Sequence, residues 1–187
     1  MSSFRFVIGL VFLAFAAGDG VLAVKDKDKP AEAAKEESVV PYDSKTHGAL
    51  QVNSAGEKPS DWFDVLQNGK RAIGGNPPLL NNTIELAPGA YVVGVNRTER
   101  KVTIQAGKKT VLLTGELVVE AKKGTPGWYT PYQGEEAKVT AAPPLLNSPL
   151  ALFSGKYTVF YRAGGAGNEE NLGAAEVKAG RKTVLKR

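Results

Sequence analysis

The chain has 187 residues and a formal net charge of +5; 42% of its residues are hydrophobic, 23% are charged, and it carries 21 Gly and 11 Pro. This is the composition of a folded chain rich in turn formers, long enough for one domain or two small ones. With no Cys and a single His, it excludes a disulfide framework, a thiolate or multi-His metal cluster, a Cys nucleophile and a lipoprotein-type anchor.

The first 23 residues read as an export signal. Arg5 precedes the apolar run "FVIGLVFLAFAA" (Phe6 to Ala17), and small residues at Val21 and Ala23 fit cleavage after Ala23. The run is 12 residues long, and a membrane span needs about 20. Residues 24–46 mix charges of both signs with Ala and Pro and show no apolar periodicity. They are expected to form a flexible, solvated linker, with a short helix over "PAEAAKEE" as an option.

From residue 47 the pattern changes. Leu50 and Val52 alternate with Ala49 and Gln51; "WF" follows at Trp62 and "PPLLN" at Pro77. Tyr91, Val93 and Val95 then alternate with Val92 and Gly94, and Val102, Ile104 and Ala106 with Thr103 and Gln105. Period-two patterning between Gly, Pro and Asn clusters predicts half-buried strands. The same plan is then written again. "GELVV" at Gly115, "WY" at Trp128, "PPLLN" at Pro143 and Tyr157 repeat their counterparts at offsets of 66 or 67 residues, and "AGRKTVL" at Ala179 repeats "AGKKTVL" at Ala106 at 73, after the Gly-rich stretch "AGGAGNEEN". A register held over five blocks is a tandem duplication. Gly107 and Gly180 are expected to supply the positive φ of hairpin turns, and Gly89 and Gly155 to turn the chain before Tyr91 and Tyr157. The expected fold is all-β: two tandem small antiparallel β-sandwich modules, residues 47–114 and 115–187, after a signal peptide and a flexible linker.

The succession "GALQV", "VLQNGK", "GGNPPLL", "TIELAPGAYVVGV" and "KVTIQAGKKTVL" resembles the PEGA domain, and more loosely the transthyretin-like regulatory domain of some carboxypeptidases. The resemblance covers most of residues 48–113 and, more weakly, 115–185. The tetrapeptide that names the PEGA family is absent, with "SAGEKPSDW" standing roughly in its place. It implies a non-catalytic accessory or adhesion-like module at the cell envelope, with no residue-level site to transfer.

Catalysis is the least favoured class. The one histidine, His47, lies at the linker boundary beside Asp43 and Ser44, without the context of a nucleophile elbow. The acidic pairs Glu135/Glu136 and Glu169/Glu170 are adjacent in sequence and would diverge in a strand, which favours solvated loop charge. "GGAGNEEN" (Gly164 to Asn171) has no helix behind it and reads as a mobile loop. No catalytic residue, metal ligand or cofactor is expected.

Two sets of residues are candidates for binding. The aromatics Trp62, Phe63, Trp128, Tyr129 and Tyr132 could form a carbohydrate platform, although core anchoring is the favoured role for both Trp. Arg97, Arg100, Lys101, Lys108 and Lys109, with Lys178, Arg181, Lys182, Lys186 and Arg187 in the second half, could attract an anionic partner; protecting strand edges from pairing is the stronger reading. "NNT" at Asn81 and "NRT" at Asn96 match the N-glycosylation pattern. The expected protein is secreted, periplasmic or extracellular, with no membrane span once the signal is removed. It would meet an unidentified protein or polysaccharide of the cell envelope and not nucleic acid; the alternative is a carbohydrate-binding protein using the repeated aromatics.

Overall fold

A computed structural model describes residues 34–56, 61–134, 137–140, 142–164 and 168–187. The signal expectation, residues 24–33 of the linker and the Glu135/Glu136 pair lie outside them. The described residues are all-β. In the first half, β1 (Glu37–Pro41), β2 (Gly48–Asn53), β5 (Thr83–Leu86) and β8 (Lys108–Leu113) form one sheet in the order β1-β8-β2-β5. Facing it is a second sheet of β3 (Phe63–Gln67), β4 (Lys70–Arg71), β6 (Gly89–Val95) and β7 (Thr98–Ile104), in the order β4-β3-β6-β7. The second half pairs β9 (Gly115–Glu120), β12 (Leu150–Leu152) and β15 (Lys182–Lys186) in the order β12-β9-β15. It pairs β10 (Trp128–Gln133), β11 (Ala137–Lys138), β13 (Gly155–Arg162) and β14 (Glu169–Val177) in the order β11-β10-β13-β14. Strand for strand the order recurs, apart from β1.

One pair per half is parallel, β2 with β8 and β9 with β15. In each half the first and last strands of the repeat lie side by side in the same direction, and the whole repeat serves as the long crossover that a parallel pair needs.

The alternation seen in sequence is the alternation of burial. Tyr91, Val93 and Val95 face inward with Phe63, Val65, Leu50, Val52, Val102, Ile104 and Leu112; Leu117, Val119, Tyr129, Tyr157, Val159 and Tyr161 fill the second core. The described residues belong to one compact unit. A single residue, the buried Thr114, joins β8 to β9, and its amide and hydroxyl both donate to the carbonyl of Asn53. Ala151 and Phe153 of the second half are buried in the core of the first.

The repeated punctuation has specific jobs. Gly107 and Gly180 have φ of 69° and 68°, and their amides donate to the carbonyls of His47 and Thr114. Asn81 and Asn147, which close the two "PPLLN" blocks, turn the chain at φ 71° and 65°. Each donates its amide to a strand carbonyl, Val52 or Val119, while its Oδ1 accepts from the amide two residues further along that strand's chain, Ser54 or Ala121. Tyr91 and Tyr157 reach back four residues to donate to the carbonyls of Ala87 and Phe153 at 2.8 and 2.6 Å. Gly155 has ordinary φ, and a Cβ there would sit 3.2 Å from the Tyr157 hydroxyl. The glycine before the tyrosine therefore makes room for the reach-back rather than supplying a left-handed turn.

Two segments differ from the sequence expectation. Glu37–Pro41, assigned to the linker, is a strand on the edge of β8; all five residues stay exposed, so it leaves no apolar periodicity to read. Glu169 and Glu170, assigned to a loop, open β14 opposite Arg162 and Tyr161.

Phe153→Ala is expected to cost about 3–5 kcal/mol and to lower the stability of both halves together in denaturant melts; independent halves would show one transition unmoved. A pH dependence follows from Tyr157, which burial pushes up to about 12, against a downward pull from Arg100. The folded state keeps this proton above pH 10, where an unfolded tyrosine loses it. Stability is therefore fully present below about pH 10 and lost as pH rises through about 12. Tyr157→Phe should flatten that alkaline decline in melts between pH 9 and pH 12; an unchanged slope would assign it elsewhere.

Candidate functional site at the junction of the halves

The edge strand β12 pairs with β9 on one side. On its other side, side chains of the first half take the place of a neighbouring strand. Asp61 Oδ2 accepts from the Ala151 amide at 3.1 Å, Asn96 Nδ2 donates to the Ala151 carbonyl at 3.0 Å, and Thr98 Oγ1 accepts from the Phe153 amide at 3.2 Å while donating to the Val95 carbonyl. The Arg100 guanidinium lies 5.6 Å from the Phe153 ring centre and pairs with Glu36 at 2.9 Å.

Asn96 and Arg97 are the two-residue tip between β6 and β7, with φ of 47° and 62°. Both central residues at positive φ is the type I′ arrangement that suits a twisted hairpin. Asn tolerates it; for Arg the left-handed conformation costs about 1–2 kcal/mol. The bonds of Asn96 and Thr98 to β12 hold the tip, and Arg97 is left exposed beside the junction. The "NRT" pattern is thus committed to structure at its first and third residues.

A groove of about 730 Å³ follows this junction. Trp62, Asp61, Asp64, Leu66, Asn96, Arg97 and Glu99 contribute from the first half, and Thr140, Pro143, Pro144, Leu145, Ser148 and Pro149 from the second. Trp62 is 59% exposed and Leu145 64%. The expectation that Trp62 anchors the core is therefore corrected. Phe63 is the fully buried residue, and consecutive residues of a strand point to opposite faces, so Trp62 must point out. The adjoining "PPLLN" segment fixes the same phase: Phe63 N–H donates to the Pro78 carbonyl, Leu80 N–H to the Asp61 carbonyl, and Trp62 bridges Leu79, which is 49% exposed.

Phe63 and Tyr129, named with the candidate platform, are core residues instead. Tyr129 donates to the carbonyls of both Leu117 and Ser148, and burial, reinforced by the charges of Asp61 and Glu116, raises its pKa far above the usual tyrosine value. Trp128 is half-buried beside Leu145 and outside the groove, and Tyr132 packs edge-on against Phe160 with ring centres 5.3 Å apart. The aromatics are not gathered into one platform; the structure brings Trp62 to Leu145 and the proline wall of the other half. Sequence reasoning missed Asp61, Asn96 and Pro143 to Leu145 as groove residues because the residues they meet there lie in the other half of the chain.

The basic residues do not converge either. Arg97 lines the groove. Lys178 lies 3.7 Å from Glu176, Lys182 3.5 Å from Glu120, and Arg187 3.3 Å from Glu170, with its guanidinium 3.7 Å from the Tyr161 ring centre. Lys109 donates to Gln51 Oε1; Lys101 and Lys108 are exposed on strands β7 and β8. Lys156, Lys178 and Arg181 border a second pocket of about 400 Å³, which Glu36 and Glu176 also line. His47 is held in a turn, its amide donating to Ser44 Oγ and its Nδ1 3.0 Å from Thr46 Oγ1. Among the described residues no group of three or more His, Asp or Glu is placed to hold a metal, and no helix is long and apolar enough to cross a membrane.

No family model matches the chain, and no curated protein matches it. Among solved structures it is similar to the Bacillus anthracis TIE protein, at 19% identity over 76% of this chain and 33% of that one, with a TM-score of 0.31. It is also similar to the major pilin from Streptococcus pyogenes, at 11% identity over 76% of this chain and 96% of that one, with a TM-score of 0.23. The chain thus spans about a third of the length of the TIE protein.

Proposed function

We propose that the chain is an exported, non-catalytic binding module of the cell envelope or extracellular space, and that its junction groove takes a carbohydrate chain. The observation that carries this reading is the 59% exposure of Trp62 on a groove wall beside Arg97, Asp64, Asn96 and Glu99. An indole face can stack on the apolar face of a sugar ring, and a surrounding set of charged and amide groups can hydrogen-bond its hydroxyls. A single exposed apolar side chain needs no explanation, but Trp62 and Leu145 are exposed together on the walls of one groove, which supports contact with a ligand. Export rests on the N-terminal sequence, and the envelope setting accords with the PEGA-like strand plan.

Trp62→Ala is expected to leave the melting temperature within a few degrees, because the side chain is mostly solvated, and to abolish retention in affinity electrophoresis through envelope polysaccharides. Trp128→Ala serves as the repeat-equivalent control and should retain binding. Equal retention by wild type and Trp62→Ala would sink the carbohydrate reading.

Arg97 supplies a second test. Replacing it with glycine relieves the left-handed strain, so Arg97→Gly should stabilise the fold by about 1 kcal/mol while weakening the same retention. A variant that gains stability and binds as before would show that the guanidinium does not contact the ligand.

A further inference from the structure

The duplication holds in strand order except at one edge. In the first half, β1 covers the outer edge of β8, in the register Glu37 to Leu112 through Pro41 to Lys108. The equivalent strand in the second half, β15, has β9 on one side and, among the described residues, no strand on the other. The consequence is visible in burial: Thr110 and Leu112 of β8 are buried, whereas all five residues of β15 are exposed or half-exposed, with Val184 at 37%.

The hydrogen-bonding phase of both free edges follows from their ladders. Arg181 and Arg187 bond toward β9, so in the period-two strand the amides and carbonyls of Lys182, Val184 and Lys186 point away from it. Glu36 and Tyr42 bond toward β8, so Glu37 and Val39 present both backbone groups outward, and Pro41 presents its carbonyl alone. Laid antiparallel, these two edges match: Glu37 falls opposite Lys186, Val39 opposite Val184, and the Pro41 carbonyl opposite the Lys182 amide. Val39 is itself 52% exposed. Glu37 and Lys186 have no ion-pair partner among the described residues. Pairing β15 with a second β15 would instead set Lys182 against Lys186 twice, and like charges directly opposite are unfavourable.

We infer that β15 is a docking edge for a second copy of this chain, whose β1, still paired to its own β8, adds its outer edge antiparallel to β15. The contact joins two different surfaces and is therefore heterologous. Repeated from copy to copy, it builds a head-to-tail array unless the rotation closes a ring.

Sedimentation velocity on the purified chain across a concentration series tests this, together with a charge-complementation pair. Wild type is expected to associate with rising concentration. Glu37→Lys alone sets two ammonium groups against each other at the Lys186 contact, and Lys186→Glu alone sets two carboxylates against each other, so each variant should weaken association by about tenfold or more. Mixed one to one, the two variants restore an opposite-charge contact, with both signs exchanged, wherever the β1 edge of the first meets the β15 edge of the second, and they should associate again. Val184→Pro removes an outward amide without touching the bonds to β9, so it should also stay monomeric while its circular dichroism matches wild type. A chain that remains monomeric up to about 1 mM, a single charge variant that still associates fully, or a mixture that fails to recover would each overturn the inference.

Discussion

The edge of β12 is where the rest of the arrangement is decided. A strand edge in a small sandwich exposes amides and carbonyls that must find partners or water. Here the Ala151 amide and carbonyl and the Phe153 amide are taken up by Asp61, Asn96 and Thr98 of the other half. These three bonds fix the hairpin tip that carries Arg97, the corner that carries Trp62 and the proline wall before Leu145 within one groove. They also carry Ala151 and Phe153 into the first core. A repeat of about 70 residues buries too little surface to be comfortable alone, and sharing part of a core with its neighbour offsets that deficit.

The architecture was largely legible because its signals are local. Strand alternation at Tyr91, Val93 and Val95 and the positive-φ glycines at Gly107 and Gly180 constrain the backbone within a few residues, and the repeated "PPLLN" blocks write the same local plan twice. The phase of Trp62 was harder. In "DWFDV" either aromatic can be the inward one, and period two says only that they differ. Phe63 continues in phase with Val65, so Phe63, Val65 and the reciprocal bonding of Leu80 place the tryptophan outside. The alternation from Phe63 to Val65 sets this phase by position, which the size of Trp does not. The groove could not be read, since it brings Trp62 together with Leu145, 83 residues away. β1 was hidden for another reason: as an edge strand exposed on all five residues, it carries the composition of a linker and owes its conformation to β8.

The ion pairs show why a count of basic residues is a poor guide to a charged surface. Lys178, Lys182, Arg100 and Arg187 each meet a carboxylate, and such exposed pairs contribute little to stability, about 0–1 kcal/mol each. Their effect is to divide the net positive charge into small neutralised patches, which suits protection of strand edges better than a single field for a polyanion.

A repeat array has one fewer junction than it has repeats, and two ends that the repeat plan itself does not finish. In this chain the two tryptophans stand in different surroundings. Trp62 lies at the junction, on the groove that the Pro143 to Leu145 corner of the second repeat also lines; Trp128, at the equivalent place in the second repeat, lies half-buried beside Leu145 and outside that groove. The same logic distinguishes β8 from β15. Extra sequence before the first repeat supplies β1 to close one end, and no counterpart among the described residues closes the other. The groove between the halves and the open edge of β15 both arise where the two copies of one strand plan have different neighbours, which is why identical motifs in the two halves do not have identical surroundings.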